Sequence, residues 1–279
     1  MSIELVTKYK PYTDEVFAAE SKTALLTNND IDWTGAKTVK VYKVTTAPMN
    51  DYDRDGKGSN WSRYGAVSDL DATTEEFMLK KDRSFTFVID KLDEDETAQQ
   101  MAAASALARQ QREVVIPEID KYTYGVMCAN AGHKPAAVTL TAENIYGEIL
   151  KASNALDDAE VPETGRVLSV IPSVYALMKK SADILMDTNI GNEMRLKGVI
   201  GMLDGATVIK VPAKRMPEGF GFMLCHPCAT VAPKKLADTN THNNPPGISG
   251  ALVEGRFCYD AFVLENKAKA IYYQEMTAE

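Results

Sequence analysis

The chain has 279 residues, 45% of them hydrophobic and 25% charged, which is the composition of an ordinary soluble globular protein. Its net charge of −8 comes from 39 acidic and 31 basic side chains, and no basic block of the kind that marks a nucleic-acid-binding surface occurs. No apolar run approaches membrane-spanning length, the N-terminus does not resemble a signal peptide, and four cysteines in so long a chain predict reduced thiols rather than a disulfide framework.

Residues 1–35 are polar and mixed in character, with one amphipathic helical candidate at residues 14–26. The segment has too few apolar residues to bury a core of its own. It therefore predicts an N-terminal arm that needs a neighbour to pack on, and a disordered tail is the alternative interpretation.

Residues 36–94 predict a long, two-stranded β-ribbon. Apolar and polar residues alternate over residues 37–46, and β-prone alternating residues return over residues 75–90, which is the period of half-exposed strands. The stretch between them is rich in Asp, Gly and Asn and has the composition of turns. Because an isolated hairpin is at best marginally stable in water, a ribbon of this length favours packing against another chain.

The tip of the ribbon, residues 50–65, carries three aromatic residues among turn formers and charges: Tyr52, Trp61 and Tyr64. Aromatic side chains at a polar tip add nothing to their own chain's core, but they are suited to anchoring on a neighbour. We therefore predict that these three residues make contacts between subunits.

The same tip contains a motif that resembles the start of a calcium-binding loop. Residues 51–56 reproduce its D-x-D-x-D-G opening, but Ser62 stands where a bidentate Glu is required, and no flanking helices are predicted. An acidic turn is the better interpretation, and no metal site is predicted.

Residues 95–132 predict one long helix that crosses the molecule as a spine. Acidic residues precede a series of strong helix formers. Pro117 lies inside the helix and removes one hydrogen bond of its ladder, so we expect a kink just before it. Two core helices broken at Pro117 are the alternative. The predicted apolar face, from spacings of three and four residues, consists of Met101, Ala104, Ala108, Val115, Ile119, Tyr122 and Val126.

The residues after the spine predict an α+β body, because strands and helices alternate there. Thr141 is expected to cap a helix, and Asp204-Gly205 is the favoured dipeptide for a tight hairpin turn. Further strands are predicted at residues 136–140, 165–172 and 219–227, and a closing hairpin at residues 255–276 with its turn near Glu265 and Asn266.

The best candidate for chemistry is the sequence Cys225-His226-Pro227-Cys228. A CxxC spacing serves redox or metal chemistry in other proteins. Here the first cysteine ends an apolar strand and no second ligand pair lies nearby in sequence, so a strand-end turn is the better interpretation. No catalytic, cofactor-binding or metal-binding residue is predicted, and the chain is not expected to be an enzyme.

The order of arm, ribbon, spine helix and α+β body resembles the major capsid protein of tailed bacteriophages, with its Hong Kong 97-type shell fold. Local sequence also matches, and the matches are collinear over most of residues 80–275. They are KDRSFTFVIDKLDEDET, REVVIPEIDKYTYG, GRVLSVIPSVYALMKKS, LDGATVIKVPAKRMP, HPCATVAPKKLAD and YDAFVLENKAKAIYY.

The resemblance implies a division of the chain into named parts. It implies an N-terminal arm over residues 1–35, an extended β-hairpin (the E-loop) over 36–94, a spine helix over 95–132, a peripheral domain over 133–160 and 245–279, and an axial domain over 161–244. The axial domain would surround the centre of a capsomer, with the spine lying along the peripheral domain.

The function that the resemblance implies is structural. The chain would self-assemble through hexamers and pentamers into the icosahedral shell of a virion, assembled in the host cytoplasm, and enclose double-stranded DNA without sequence-specific contact. Separate scaffolding, portal and head-completion proteins would be its other partners, and no membrane partner is expected. The acidic balance suits this role, because a container that gripped DNA through many phosphate contacts would resist packaging and ejection.

Two alternatives remain open from the sequence. The same fold class includes the shell protein of bacterial encapsulin-type nanocompartments, which enclose an enzyme. From another class, a thiol or metal enzyme would use Cys225 and Cys228.

Overall fold

The computed structural model describes residues 21–28, 38–44, 46–58, 61–67, 69, 72–96, 103–181, 184 and 199–277. The chain divides into two compact units, Trp33–Leu79 and a larger body made of Met1–Asp32 with Lys80–Glu279. Most of the predicted arm, and most of its helical candidate, lies outside the described residues. The part that is described contains a short 3-10 turn, Thr23–Leu25.

The described residues form both helices and strands, which confirms the α+β prediction at the level of a mixed helix-and-sheet fold. The helices are α1 Lys91–Glu96, α2 Ala103–Gln110, α3 Ile116–Ala129, α4 Ile145–Asp158 and α5 Pro172–Lys180. The strands are β1 Thr38–Val44, β2 Ala72–Met78, β3 Lys81–Asp90, β4 Val167–Val170, β5 Val199–Leu203, β6 Ala206–Lys210, β7 Phe220–Cys225, β8 Thr230–Val231, β9 Lys234–Asn243, β10 Gly250–Tyr259, β11 Phe262–Val263 and β12 Ile271–Glu275. Within the described ranges, none of the helices has the length and apolar character needed to cross a membrane.

The spine is a helical stretch in which α2 continues through a π-helical turn, Gln111–Val115, into α3. Pro117 is near the start of α3 and directly follows this turn. Proline has no N–H to donate, and its ring crowds the carbonyl four residues earlier. A π turn widens the hydrogen-bond spacing and relieves that crowding. The structure thus has a change of helix type directly before Pro117, and the kink expected there stays a prediction.

The buried face of α3 differs from the predicted apolar face. Ile119, Tyr122 and Val126 are only half-buried. The residues buried deepest are Asp120, Thr123, Tyr124, Met127 and Cys128. A carboxylate and a hydroxyl thus lie on the buried side of α3, beside apolar residues that are not part of the predicted apolar face.

A five-stranded sheet with the order β12-β7-β4-β6-β5 forms the centre of the body. Every residue of β4 and β7 is buried, so this part of the sheet is covered on both faces. The hairpin between β5 and β6 turns at Asp204 and Gly205, whose φ angles of 47° and 78° are those of the predicted tight turn. The strand predicted at residues 136–140 is only a single bridge, from Val138 to Met276.

Helix α4 is preceded by the cap that the sequence predicts. The backbone N–H of Thr141 donates to Asn144 Oδ1 at 2.8 Å, and the N–H of Asn144 donates to Thr141 Oγ1 at 3.3 Å. This reciprocal pair satisfies two donors ahead of the helix, as a capping box does. The helix then packs its buried face, which includes Ile145 and Ile149, into the core of the body.

The strand pairings correct two of the sequence predictions. Residues 75–90 were predicted as one strand of the ribbon, but only β2 pairs with β1, and β3 pairs antiparallel with β10 in a three-stranded sheet of order β3-β10-β9. The closing hairpin near Glu265 and Asn266 was also wrong. Those residues form a 3-10 turn, and the strand that follows it, β12, pairs with β7.

Aromatic packing explains why β3 and β10 fit together. Gly255 of β10 is directly opposite Phe85 of β3, and a Cβ at Gly255 would come within 2.5 Å of the Phe85 ring. The same ring stacks on Phe257 of β10 with 6.0 Å between centroids. Glycine at this position therefore leaves room for a cross-strand aromatic pair, which stabilises this register.

A buried ion pair joins α3 to the turn after β6. Arg215 Nη1 donates to Asp120 Oδ2 at 2.6 Å, and the two residues are 5% and 1% exposed. Ser21 Oγ donates to the other carboxylate oxygen at 2.6 Å, so the N-terminal segment meets the same group. Burial raises the pKa of the Asp120 carboxyl, although the Ser21 and Arg215 bonds favour its charged form.

We predict that Asp120→Asn lowers the free energy of unfolding by about 3–5 kcal/mol, because it leaves the Arg215 guanidinium buried without its counter-charge. Chemical denaturation of the unassembled protein measures the loss. Asp82→Asn is the control, since it breaks an ion pair with Arg256 that is half exposed and should change the unfolding curve little. Equal curves for the two variants would contradict the role given to Asp120.

Candidate subunit interface

The smaller unit is built on the antiparallel pair β1 and β2, each seven residues long. Oppositely charged side chains cross the pair: Lys40 contacts the facing Glu76, and Lys43 Nζ lies 3.2 Å from a carboxylate oxygen of Glu75. Phe77 faces Val39 and is buried. These cross-strand contacts stabilise the two-stranded pair from which the tip projects.

The tip is ordered by the carboxylate of Asp53. One of its oxygens accepts from the Gly56 N–H at 2.8 Å and the other from the Gly58 N–H at 2.5 Å. The Asp53 N–H in turn donates to the Arg63 carbonyl at 2.9 Å and closes the loop. Gly56 has a φ of 66°, a backbone conformation that favours glycine. The backbone donors hold the pKa of Asp53 below its ordinary value, the Gly58 N–H contributing most.

These bonds also account for the calcium-like motif at residues 51–56. The Asp53 oxygens are directed at backbone amides, which occupy the positions that a cation would need. No group of three acidic, His or Cys side chains suited to a metal ion occurs among the residues that the structure describes. The Asp53 carboxylate thus acts as an acceptor for the backbone of the turn.

The three aromatic residues singled out in the sequence are all exposed at this tip. The exposed fractions are 54% for Tyr52, 89% for Trp61 and 78% for Tyr64. The rings of Tyr52 and Tyr64 meet edge to face at 5.1 Å, whereas Trp61 is not part of that pair. The sequence analysis missed Met49 and Val67, which are also exposed, because single apolar residues in a polar loop carry no periodic signal.

We predict that Asp53→Ala loosens the tip, with faster hydrogen exchange at the Gly56 and Gly58 amides. Lowering the pH should reduce the protection factors of the same amides in the wild type, once the slower intrinsic exchange in acid is taken into account. Because the folded-state pKa of Asp53 is depressed, the carboxylate's contribution is present above the ordinary Asp pKa and is lost as pH falls through the depressed value. Asp51→Ala is the matched control, and exchange rates that respond equally to both substitutions would refute this account.

The second candidate site, Cys225-His226-Pro227-Cys228, is a turn at the end of β7. Cys225 is fully buried, and His226 Nδ1 accepts from the Cys228 N–H at 3.2 Å. The other ring nitrogen, Nε2, then carries the proton and donates to the Thr164 carbonyl at 3.1 Å. Burial raises the pKa of both thiols, which disfavours the thiolate that redox or metal chemistry requires.

We predict that Cys225→Ala combined with Cys228→Ala leaves assembly intact and lowers stability by roughly 1 kcal/mol through lost packing. His226→Ala should cost more than the double variant, because it removes both the turn cap and the bond to Thr164. Thermal melts and elemental analysis provide the measurements. Stoichiometric zinc or iron in the wild-type protein would restore the thiol or metal enzyme as a candidate.

The chain is similar to known proteins in its fold but matches none of the family models or curated sequences. No protein-family model matches the chain, and no curated protein matches it. Solved structures do match. A structure from Mycobacterium phage Che8 has a TM-score of 0.73 and 17% identity, covering 98% of both chains. The capsid of Cyanophage P-SCSP1u has a TM-score of 0.74 and 11% identity, covering 99% of this chain and 94% of that one. A virus-like particle from Pyrococcus furiosus has a TM-score of 0.50 and 11% identity, covering 86% of both chains.

The chain therefore has the fold of proteins that form viral and virus-like shells. More specifically, it has the fold of phage capsid structures over nearly its whole length. The resemblance to the tailed-phage capsid fold that the sequence indicated is confirmed. The boundaries assigned to the peripheral and axial domains stay predictions, and the five-stranded sheet joins β12 from the first to β7 from the second.

Proposed function

We propose that this chain is the major capsid protein of a tailed bacteriophage and self-assembles into the icosahedral shell that encloses double-stranded DNA. The observation that carries the proposal is the match to a phage capsid structure over 99% of this chain and 94% of that one. A likeness of this extent includes the ribbon as well as the body. The role is structural and involves no catalysis by this chain.

The ribbon tip supports a role in contacts between subunits. Tyr52, Trp61 and Tyr64 expose large apolar surfaces to solvent in the single chain. Aromatic side chains in such positions contribute strongly to binding when a partner removes them from water. The tip residues would therefore lie on a neighbouring subunit in the assembled shell, with Met49 and Val67 adding apolar area at the edge of the contact.

The remaining features of the proposal follow the capsid role. Hexamers and pentamers would form around residues 161–244, and separate scaffolding, portal and head-completion proteins would complete the particle. The protein would be located in the virion capsid after assembly in the host cytoplasm. The packaged DNA would be held without sequence-specific contact, which suits a chain with a net charge of −8.

An encapsulin-type nanocompartment shell is the second candidate, favoured by the match to a virus-like particle from Pyrococcus furiosus. Its TM-score of 0.50 is well below the 0.74 of the cyanophage capsid. The genes beside this one discriminate between the two. A cargo enzyme gene would favour the nanocompartment, and portal and terminase genes would favour the phage.

Electron microscopy of the purified wild-type protein tests the proposal directly, and we expect closed shells, hexamers or pentamers. Replacing residues 51–64 by an Asn-Gly turn should leave the body folded, because none of these residues belongs to its core cluster, but shells should be absent or fragile. A thermal melt of the unassembled chain and particle counts from micrographs separate the two effects.

A second variant keeps the loop length and removes only the apolar anchors: Tyr52→Ser with Trp61→Ser and Tyr64→Ser. Its control is Tyr42→Ser, an exposed tyrosine on β1 outside the tip. Normal shells from both tip variants would show that the tip is a passive loop. A stable monomer of the wild-type chain at micromolar concentration, by light scattering, would count against the capsid role as a whole.

A further inference from the structure

Two lysines from separate elements lie against the ring of Tyr175, and a third, from the N-terminal segment, contacts one of them. The Nζ of Lys179, one turn further along α5, lies 5.7 Å from the ring centroid. The Nζ of Lys210, at the end of β6, lies 5.4 Å from the same centroid. Lys22 of the N-terminal segment joins them, because its Nζ donates to the backbone carbonyl of Lys210 at 2.7 Å.

The cluster brings several positive charges close together. Within the described part of the chain, none of these three ammonium groups forms an ion pair. Arg215 is also near, but its guanidinium is already paired with Asp120. Partial burial lowers the pKa of Lys22, and the charges of Lys210 and Arg215 lower it further.

Ordinary helix and ring chemistry explains only part of this arrangement. Lys179 is in the last turn of α5, where the helix dipole favours a cation, and the Tyr175 ring attracts cations through its face. Neither effect accounts for Lys22, which comes from another element and is repelled by the charges of Lys210 and Arg215. An anion bound between the three groups would remove that repulsion. Lys22 uses one of its three N–H donors on the Lys210 carbonyl, so two remain for a ligand.

We propose that Lys179 and Lys210, which lie against Tyr175, and Lys22, which contacts Lys210, form an anion-binding site for the phosphate backbone of nucleic acid. The proposal rests on the capsid role and extends it, because the ligand in the particle would be the packaged DNA. One site of three lysines per subunit contacts few phosphates and reads no bases. A grip of this kind is weak and reversible, which is compatible with a net charge of −8.

The test measures binding of a short labelled DNA duplex to the full-length chain before shell formation, by fluorescence anisotropy across a salt series. Three phosphate contacts predict a loss of roughly 40-fold in affinity between 50 and 200 mM salt. The variant Lys22→Gln/Lys179→Gln/Lys210→Gln should lose most of the binding, with a salt slope shallower by about one per lysine. Replacing Lys179 and Lys210 by arginine instead of glutamine should keep the DNA binding, since arginine retains the charge and stacks on tyrosine.

The matched control is Lys121→Gln/Lys267→Gln/Lys269→Gln, three exposed lysines outside the cluster whose loss changes net charge equally. Equal DNA affinity for the two triple variants would overturn the proposal, because net charge alone would then explain binding. Displacement of the duplex by inorganic phosphate at matched ionic strength would overturn the assignment to nucleic acid in favour of free phosphate.

Two further outcomes distinguish this DNA site from a contact between subunits and from the capsid role itself. If the cluster variant binds DNA normally but forms no shells, the lysines contact acidic residues of a second copy and the DNA site is wrong. If the wild-type chain binds no DNA while micrographs show normal shells, the site fails and the capsid role stands. Thermal melts of both triple variants exclude misfolding as the cause of lost binding.

Discussion

The buried carboxylate of Asp120 is the group on which the arrangement of the body depends. It receives one bond from Arg215 after β6 and another from Ser21 of the N-terminal segment, while its own residue lies on the spine helix. An unpaired charge in that position would be strongly unfavourable, so each partner is required by the others. The contact makes the N-terminal segment part of the body, and it places Lys22 one residue from the junction.

Local signals explain which parts of the fold the sequence predicts well. The β5–β6 hairpin depends on a two-residue turn, and Asp204-Gly205 satisfies the backbone conformation that it needs. The cap at Thr141 is equally local, since it follows from one side chain and its near neighbours.

Contacts between residues that are far apart in the sequence account for the parts of the fold that the sequence does not predict. The strand at Lys81–Asp90 could pair with any β-prone partner, and the fit between Phe85 and Gly255 decides it in favour of a strand far along the chain. Asp120 was missed because an amphipathic pattern counts apolar residues and carries no information about a distant arginine. Of the candidate sites, the exposed tip aromatics could be predicted from composition, but the lysine cluster could not, because its members meet only in the fold.

The pairing of β3 with β10 has a consequence for the order in which the protein is made. Strand β3 leaves the ribosome long before β10, and β7 likewise precedes its partner β12. Both sheets therefore carry open hydrogen-bonding edges until residues 250–275 have been synthesised, and contacts this distant in sequence form slowly. Completion of the body is thereby tied to synthesis of residues 250–275, and a nascent chain stopped short of them lacks the finished surface that a neighbouring subunit would meet.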